Sequence, residues 1–240
     1  MSSQTVFKRY ELKYFMTIEQ YVMLKSIMQD TMKIDAFGMN TIHNIYFDTP
    51  DYRLIRKSLE KPCYKEKLRV RSYGTLGDET PLFVELKKKY NGVVYKRRME
   101  LPYEEAFDFL LHQIPLHEET QIAKELSYFM EFYGNLAPAL LLSYEREAYY
   151  GKEDPEFRMT FDHNIRIKTE DILQNDCGDI THVLEDDRVL LEIKTGLAIP
   201  TWLLHFLSSN QIYKTSFSKY GTAYQKILLP KLKGEKIYVA

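Results

Sequence analysis

The chain has 240 residues, with 33 Lys or Arg against 34 Asp or Glu and a formal net charge of −1. That length is enough for one large domain with a buried core, and an apolar content of 45% belongs to a globular chain rather than a disordered one. The near-neutral balance speaks against the global basic field of a nucleic-acid binder, and two cysteines in no ligand spacing, Cys63 and Cys177, speak against a disulfide framework or a zinc knuckle.

Residues 8–16 read as a strand. Thr17 then opens a helix, because Gln20 follows three residues on as in a capping box; the helix is expected to run to about Gln29. Residues 41–48 read as a strand, and Thr49-Pro50-Asp51 as a turn into a short helix. Residues 64–73 form a strand ended by Gly74 and Gly77. Residues 82–89 and 93–101 flank Asn91-Gly92, the strongest hairpin signal in the chain, because a type I′ turn needs positive φ at both central residues. Residues 102–112 and 119–133 have helical periodicity. Residues 139–150, 157–168 and 187–195 read as strands, and 201–208 and 220–229 as helices. The 19 Tyr and 13 Phe fit this richness in strands. No repeat, low-complexity linker or internal boundary interrupts the order, so a single domain over residues 1–240 is expected. Its class is α+β around an antiparallel sheet or barrel. The N-terminus reaches Lys8-Arg9 with no apolar stretch after it, and no run approaches the ~20 apolar residues of a membrane helix. The expected address is the cytoplasm.

Side chains alternate between the faces of a strand, and here the alternation separates charge from grease. Arg9, Glu11 and Lys13 oppose Tyr10, Leu12 and Tyr14. Lys65, Lys67, Arg69 and Arg71 oppose Leu68 and Val70. Glu85, Lys87 and Lys89 oppose Leu82, Val84 and Leu86. Lys96, Arg98 and Glu100 share a face, as do Tyr144 and Arg146. Arg158, Thr160 and Asp162 oppose Phe157, Met159 and Phe161, and Glu192 and Lys194 oppose Leu191 and Ile193. For one strand this is the ordinary pattern of a sheet with one face in water. The set is unusual in its wealth of Lys, Arg and Glu and its scarcity of Ser, Asn and Gln. Amphipathic helices must also bury their apolar sides somewhere. If they cover the apolar face of a closed sheet, the charged faces point inward. A dry charged interior is very costly, whereas a wet one holding a polyanion and a metal is tolerable. Cations bind phosphate oxygens, and carboxylates suit a hard divalent ion.

These segments resemble the polyphosphate-polymerase (vacuolar transporter chaperone, VTC) branch of the triphosphate-tunnel metalloenzymes, the CYTH-like superfamily. Arg9-Tyr10-Glu11-Leu12-Lys13-Tyr14 is similar to its N-terminal ExK signature, and Tyr46-Phe47-Asp48-Thr49-Pro50-Asp51-Tyr52 to its YFDTPDY stretch. Lys67 to Gly74, Val84-Glu85-Leu86-Lys87 and Tyr95-Lys96-Arg97-Arg98 resemble its next three strands. Tyr144-Glu145-Arg146, Arg158 to Asp162, Leu191 to Lys194 and Ser216 to Tyr220 complete the ordered set, which spans residues 9 to 220. The resemblance implies an antiparallel eight-stranded β-barrel tunnel with flanking helices and a stand-alone bacterial-type domain. It implies a manganese or magnesium (Mn2+ or Mg2+) requirement and transfer of the ATP γ-phosphoryl group to a growing polyphosphate chain. By match, Lys13, Arg69, Arg71, Lys87, Lys96, Arg146, Arg158, Lys194 and Lys219 would hold phosphates as catalytic residues. Tyr144, Arg98 and Ser218 would bind substrate, and Glu192, Glu11 and Glu85 would ligate the metal.

Arg9 stands where an ExExK signature has its second acid, which favours the polymerase branch over the hydrolases. No GxxxxGK[ST] is present, so a P-loop mechanism is out. The regulatory SPX domain and the membrane segments of the eukaryotic complexes are missing, so translocation by this chain alone is not expected, while a membrane partner stays open. Two other activities share the tunnel: a triphosphatase acting on tripolyphosphate or a nucleotide, and a non-catalytic polyanion-binding module. Lys194 and Lys219 have the alternative of plain surface lysines. Asp48 and Asp51, flanking Pro50, are read as turn and cap residues. His43, His112, His117, His163, His182 and His205 show no metal spacing, Trp202 is read as packing, and Glu185-Asp186-Asp187 as a solvated loop.

Overall fold

Each strand segment carries one apolar face, and such a face is stable only when helices or another sheet remove it from water. The computed structural model describes residues 10–74, 80–173, 180–185, 187–196 and 198–234. Lys8, Arg9, Gly77, Cys177 and Asp186 lie outside the described residues. The elements follow the chain as β1 (Tyr10–Thr17), α1 (Ile18–Ile27), β2 (Met32–Asp48), α2 (Arg53–Leu59), β3 (Tyr64–Tyr73), β4 (Leu82–Tyr90) and β5 (Val93–Leu101). Then come α3 (Tyr103–His112), α4 (Gln121–Tyr133), β6 (Ala137–Gly151), β7 (Arg158–Lys168), β8 (Thr181–His182), β9 (Arg188–Thr195), α5 (Thr201–Ser209), β10 (Lys214–Thr215), α6 (Lys219–Ala223) and α7 (Leu229–Leu232). The class is α+β with a large antiparallel sheet. Eight of the described strands are long, as expected, and two have only two residues. The strand order is β10-β1-β9-β7-β6-β2-β3-β4-β5, with β8 on β7, so among the described residues the sheet is open with two ends rather than the closed ring of the expected barrel.

The chain divides into two compact units, the first of Met1–Asn40, Tyr144–Ile165 and Leu184–Phe217 and the second of Thr41–Ser143, Arg166–Val183 and Ser218–Ala240. In the first unit β9 pairs antiparallel with β1 and β7. The apolar faces of these strands, with Tyr14, Met16, Met159, Phe161, Val189, Leu191 and Ile193, form one core with Leu24 of α1 and Leu203, Phe206 and Leu207 of α5. Each such side chain contributes about 1.5–3 kcal/mol on burial. The capping box that opens α1 is complete: Gln20 N donates to Thr17 Oγ1 at 3.2 Å and Thr17 N to Gln20 Oε1 at 3.0 Å. The helix is shorter than expected, because residues Met28–Asp30 tighten into a 3-10 turn. Trp202 packs against this core, as expected.

In the second unit β2, β3, β4 and β5 form an antiparallel meander. Asn91 and Gly92 take φ of 45° and 86°, the positive values that the hairpin turn demands. Ile45, Phe47, Leu68, Val70, Val84, Leu86 and Met99 pack with Leu54 of α2, Phe107 and Leu110 of α3, and Leu126 and Phe129 of α4. Helices therefore cover the apolar sheet face in both units, and the charged face is the opposite one.

Asp48 and Asp51 do the turn and cap work expected of them. Asp48 accepts from the backbone N–H of Thr49, Leu54 and Ile55 at 2.8–3.0 Å, which supplies the N-terminus of α2. Asp51 accepts from Thr49 Oγ1 at 2.7 Å. The structure extends β2 back to Met32, where residues such as Lys33, Ile34, Ala36 and Phe37 are exposed and give no alternating signal. The expected helix over 220–229 is interrupted by a π-helical stretch at Tyr224–Leu228.

Candidate functional site

The register of the second unit lines its charged residues up in cross-strand rows. Tyr46, Arg69, Glu85 and Arg98 form one row across β2, β3, β4 and β5. Asn44, Arg71, Phe83 and Glu100 form the row on one side of it. Lys67, Lys87 and Lys96 form the row on the other side. Like charges directly opposite one another destabilise a sheet, so folding by itself would not select three lysines abreast.

Glu85 is the centre of this face. It is 1% exposed, and its carboxylate meets Arg69 Nη2 at 2.7 Å, Lys96 Nζ at 2.6 Å and Arg98 Nε at 3.5 Å. Burial alone would raise its pKa, but Arg69, Arg71 and Lys96 outweigh burial and hold it at about 2. Tyr46 accepts from Arg69 Nη1 at 3.2 Å. Burial would push its hydroxyl up; Arg69, Lys67 and Arg71 instead bring it down to about 8. Arg71 Nε donates to Asn44 Oδ1 at 2.9 Å, and Arg98 Nη2 to the Tyr73 hydroxyl at 3.1 Å.

The short helix α6 belongs to the same face. Ser218 caps it by accepting from Gly221 N at 3.2 Å, and the same Oγ accepts from Lys67 Nζ at 3.2 Å. Tyr220 stacks on Tyr46 with ring centroids 4.5 Å apart. Lys219 is buried, so the surface-lysine alternative does not describe it.

The first unit holds the second cluster. Arg146 on β6 forks onto Asp162 on β7, with Nε–Oδ1 of 2.5 Å and Nη2–Oδ2 of 2.7 Å. Its Nη2 also reaches Glu192 Oε2 on β9 at 3.3 Å. Burial opposes the charge of Arg146, but Asp162 and Tyr144, with Glu192, outweigh it and raise its pKa further. Lys13 Nζ lies 3.3 Å from both Glu192 Oε1 and Glu11 Oε1 and donates to the Phe217 carbonyl at 3.0 Å. Two more rows follow from the register: Lys13–Glu192–Thr160 and Glu11–Lys194–Arg158. Thr160 is buried, and its Oγ1 has no hydrogen-bond partner among the described residues.

The residues expected from the sequence therefore fall into two groups. Glu11, Lys13, Tyr144, Arg146, Arg158, Glu192 and Lys194 lie in the first unit, and Arg69, Arg71, Glu85, Lys87, Lys96, Arg98, Ser218 and Lys219 in the second. The first group carries most of the acids and the second most of the cations. Lys67, Tyr46, Thr160, Asp162 and Tyr220 belong to these clusters but were not among the expected site residues, although each lies in a segment that carries the resemblance. Only the fold brings Tyr46 and Tyr220 together.

A divalent ion takes oxygen ligands and completes its shell with water and substrate phosphates, often with one or two carboxylates from the protein. Glu192, in the row of Thr160, and Glu11, in the next row, supply such oxygens; their cation contacts, Lys13 to both and Arg146 to Glu192, are longer, at 3.3 Å. Glu85 fits it poorly, because Arg69 and Lys96 crowd its two oxygens. Among the described residues no group of three or more His, Cys, Asp or Glu gathers as a metal site, and the six histidines add none.

Solved structures of low sequence identity share this fold. One is a candidate adenylate cyclase from Bacillus halodurans, 16% identical, covering 87% of this chain and 92% of its own, with a TM-score of 0.54. Another is a candidate adenylyl cyclase from Hippeastrum with a dominant triphosphatase activity, 14% identical, covering 95% and 97%, with a TM-score of 0.53. No curated protein matches the sequence. The VTC domain matches residues 8–228, and the chain belongs to that family. No described helix is long and apolar enough to cross a membrane.

Proposed function

We propose that the chain is a metal-dependent polyphosphate polymerase that moves the γ-phosphoryl group of ATP onto a growing polyphosphate chain. The observation that carries this is the row Lys67–Lys87–Lys96 beside Arg69–Glu85–Arg98, a gathering of cations that suits a strongly anionic ligand. Membership of the VTC domain family supports it. In the reaction a terminal oxygen of the acceptor chain forms a bond to the γ-phosphorus, and the bond from that phosphorus to the β,γ-bridging oxygen breaks to release ADP. Such transfers depend chiefly on positioning and on neutralising charge.

Arg69, Arg71, Lys96 and Arg98 supply the neutralising charge in the second unit, and guanidinium groups grip phosphate oxygens two at a time. Glu85 keeps the side chains of Arg69 and Lys96 gathered in place before a ligand arrives. In the first unit, Asp162 fixes the plane of Arg146, and Lys13 bridges Glu11 and Glu192. Glu192 and Glu11 are the residues that would hold Mn2+ or Mg2+, with Thr160 adjacent. When bound, the ion polarises phosphoryl oxygens and offsets their charge.

Incubation of the purified protein with ATP and manganese, followed by a polyphosphate gel, tests the reading. A polymer ladder is expected. A second reading, hydrolysis, is favoured by the triphosphatase activity of the Hippeastrum protein. Orthophosphate without polymer, lost in Glu192→Ala, would establish hydrolysis instead. Thermal stabilisation by tripolyphosphate with no turnover would reduce the protein to a binding module.

A further inference from the structure

Beyond the row Lys67–Lys87–Lys96, the register places Lys65 opposite Lys89. Rows of side chains on one face follow at about 6.6–6.8 Å along a strand, so this pair continues the same face one step further from Glu85. Lys61 joins it: burial and then the charges of Lys89, Lys87 and Lys61 lower the pKa of Lys65. Among the described residues, Lys61, Lys65, Lys87 and Lys89 are not paired with a carboxylate. Lys65 Nζ donates to the Ser58 carbonyl at 3.0 Å, a neutral partner. Lysines often guard sheet edges. The pairing of β2 with β3 ends at Leu68, so Lys65 lies beyond it, but Lys87 and Lys89 each sit between β3 and β5. Protection of an edge does not explain those two.

We propose that Lys61, Lys65, Lys87 and Lys89 form a track that binds the part of a long polyphosphate chain lying beyond the Glu85 cluster. The proposal rests on the polyphosphate reading above and adds to it a preference for long chains over tripolyphosphate. The chemistry selects an inorganic chain over a nucleic acid. Single strands bind on aromatic platforms between cations, and the lysine rows carry Val94 and no aromatic side chain, while Tyr64 and Tyr90 pair with each other in a row of the opposite alternation.

The test measures binding, not synthesis. The full chain is compared with Lys65→Gln/Lys89→Gln and, because Lys65 has a backbone contact, with Lys61→Gln/Lys89→Gln. Each is titrated with tripolyphosphate, with polyphosphate of about one hundred units and with a single-stranded oligonucleotide of equal charge. Both variants are expected to lose about tenfold in affinity for the long chain, as for the loss of two phosphate contacts, and to keep their affinity for tripolyphosphate. Unchanged long-chain affinity in both overturns the track. So does an equal loss for both phosphates, which would place the lysines in the main site. An oligonucleotide loss as large as that for polyphosphate overturns the choice of ligand. A wild-type protein that makes no polymer from ATP would remove the polymerase reading and leave these binding results standing.

Discussion

The hydroxyl of Tyr220 donates to Asp48 Oδ2 at 2.8 Å, and both residues are buried. Asp48 thereby serves two elements at once, since it also takes three backbone N–H groups at the start of α2. Burial raises the pKa of the Asp48 carboxyl against the pull of these donors. Removing it leaves four donors without an acceptor. Asp48→Ala is expected to cost about 3–5 kcal/mol in urea unfolding, whereas Tyr220→Phe, which keeps the ring stacked on Tyr46, should cost about 1–2 kcal/mol. Equal costs for the two would refute the shared role of Asp48.

Glu85 predicts a specific acid response. Its folded pKa of about 2 lies below the ordinary 4.5. A depressed carboxylate contributes stability that is fully present above the ordinary value and is lost as pH falls from 4.5 towards 2. A shift of that size is worth about 3 kcal/mol. Melting curves from pH 6 to pH 2 should show a steeper acid slope for the wild type than for Glu85→Gln. Parallel slopes would mean that the cations around Glu85 do not stabilise its charge.

Tyr46 should be visible in the ultraviolet. With a folded pKa of about 8, it ionises before the ordinary tyrosines of the chain, and a tyrosinate absorbance step near pH 8 should vanish in Tyr46→Phe. Folding stability should rise between pH 8 and pH 10, because the folded state releases this proton first. Tripolyphosphate bound to Arg69 and its neighbours would compete for the same charge and move the step upwards. A step that ignores tripolyphosphate would place the anion elsewhere.

Thr160 separates packing from function. An unpartnered buried hydroxyl costs free energy, so Thr160→Val should leave stability unchanged or raise it by about 1 kcal/mol. If the hydroxyl serves a hydrated ion beside Glu192, the same variant should need more manganese for half-maximal turnover. An unchanged metal requirement would confine Thr160 to packing.

Arg146→Lys keeps the charge and loses the fork onto Asp162. It should destabilise the chain by about 2–4 kcal/mol, because the buried Asp162 keeps only part of its compensation. Arg146→Lys with Asp162→Asn should recover part of that loss, and a double-mutant cycle measures the coupling.

Much of the fold was legible because the strands have strict alternation and the punctuation is strong. Thr17 with Gln20, Asn91 with Gly92, and the helix at 121–133 needed no tertiary information. The first half of β2 was not legible, since exposed Ile34 and Phe37 break the pattern that burial normally writes into a strand. The two-residue strands β8 and β10 are too short to show any period. At the site, alternation placed the cations on common faces but could not tell which lie abreast. That depends on register, which is a property of strand pairs. For the same reason Asp48 could be read as a cap while its bond to Tyr220, 172 residues away, could not.

The turn at Asn91-Gly92 ties the charge of a whole face to parity. On β5 the even positions carry Lys96 and Arg98, and the odd ones bury Met99 and Leu101. A slip of one residue in this hairpin would exchange the two sets and drive both cations into the helix-covered core. Natural variation in the length of this turn should therefore come in steps of two, or be absorbed locally as a bulge. A deletion of one residue here would remove the cations of β5 from the charged face, and with them the proposed anion binding, without altering a single charged side chain.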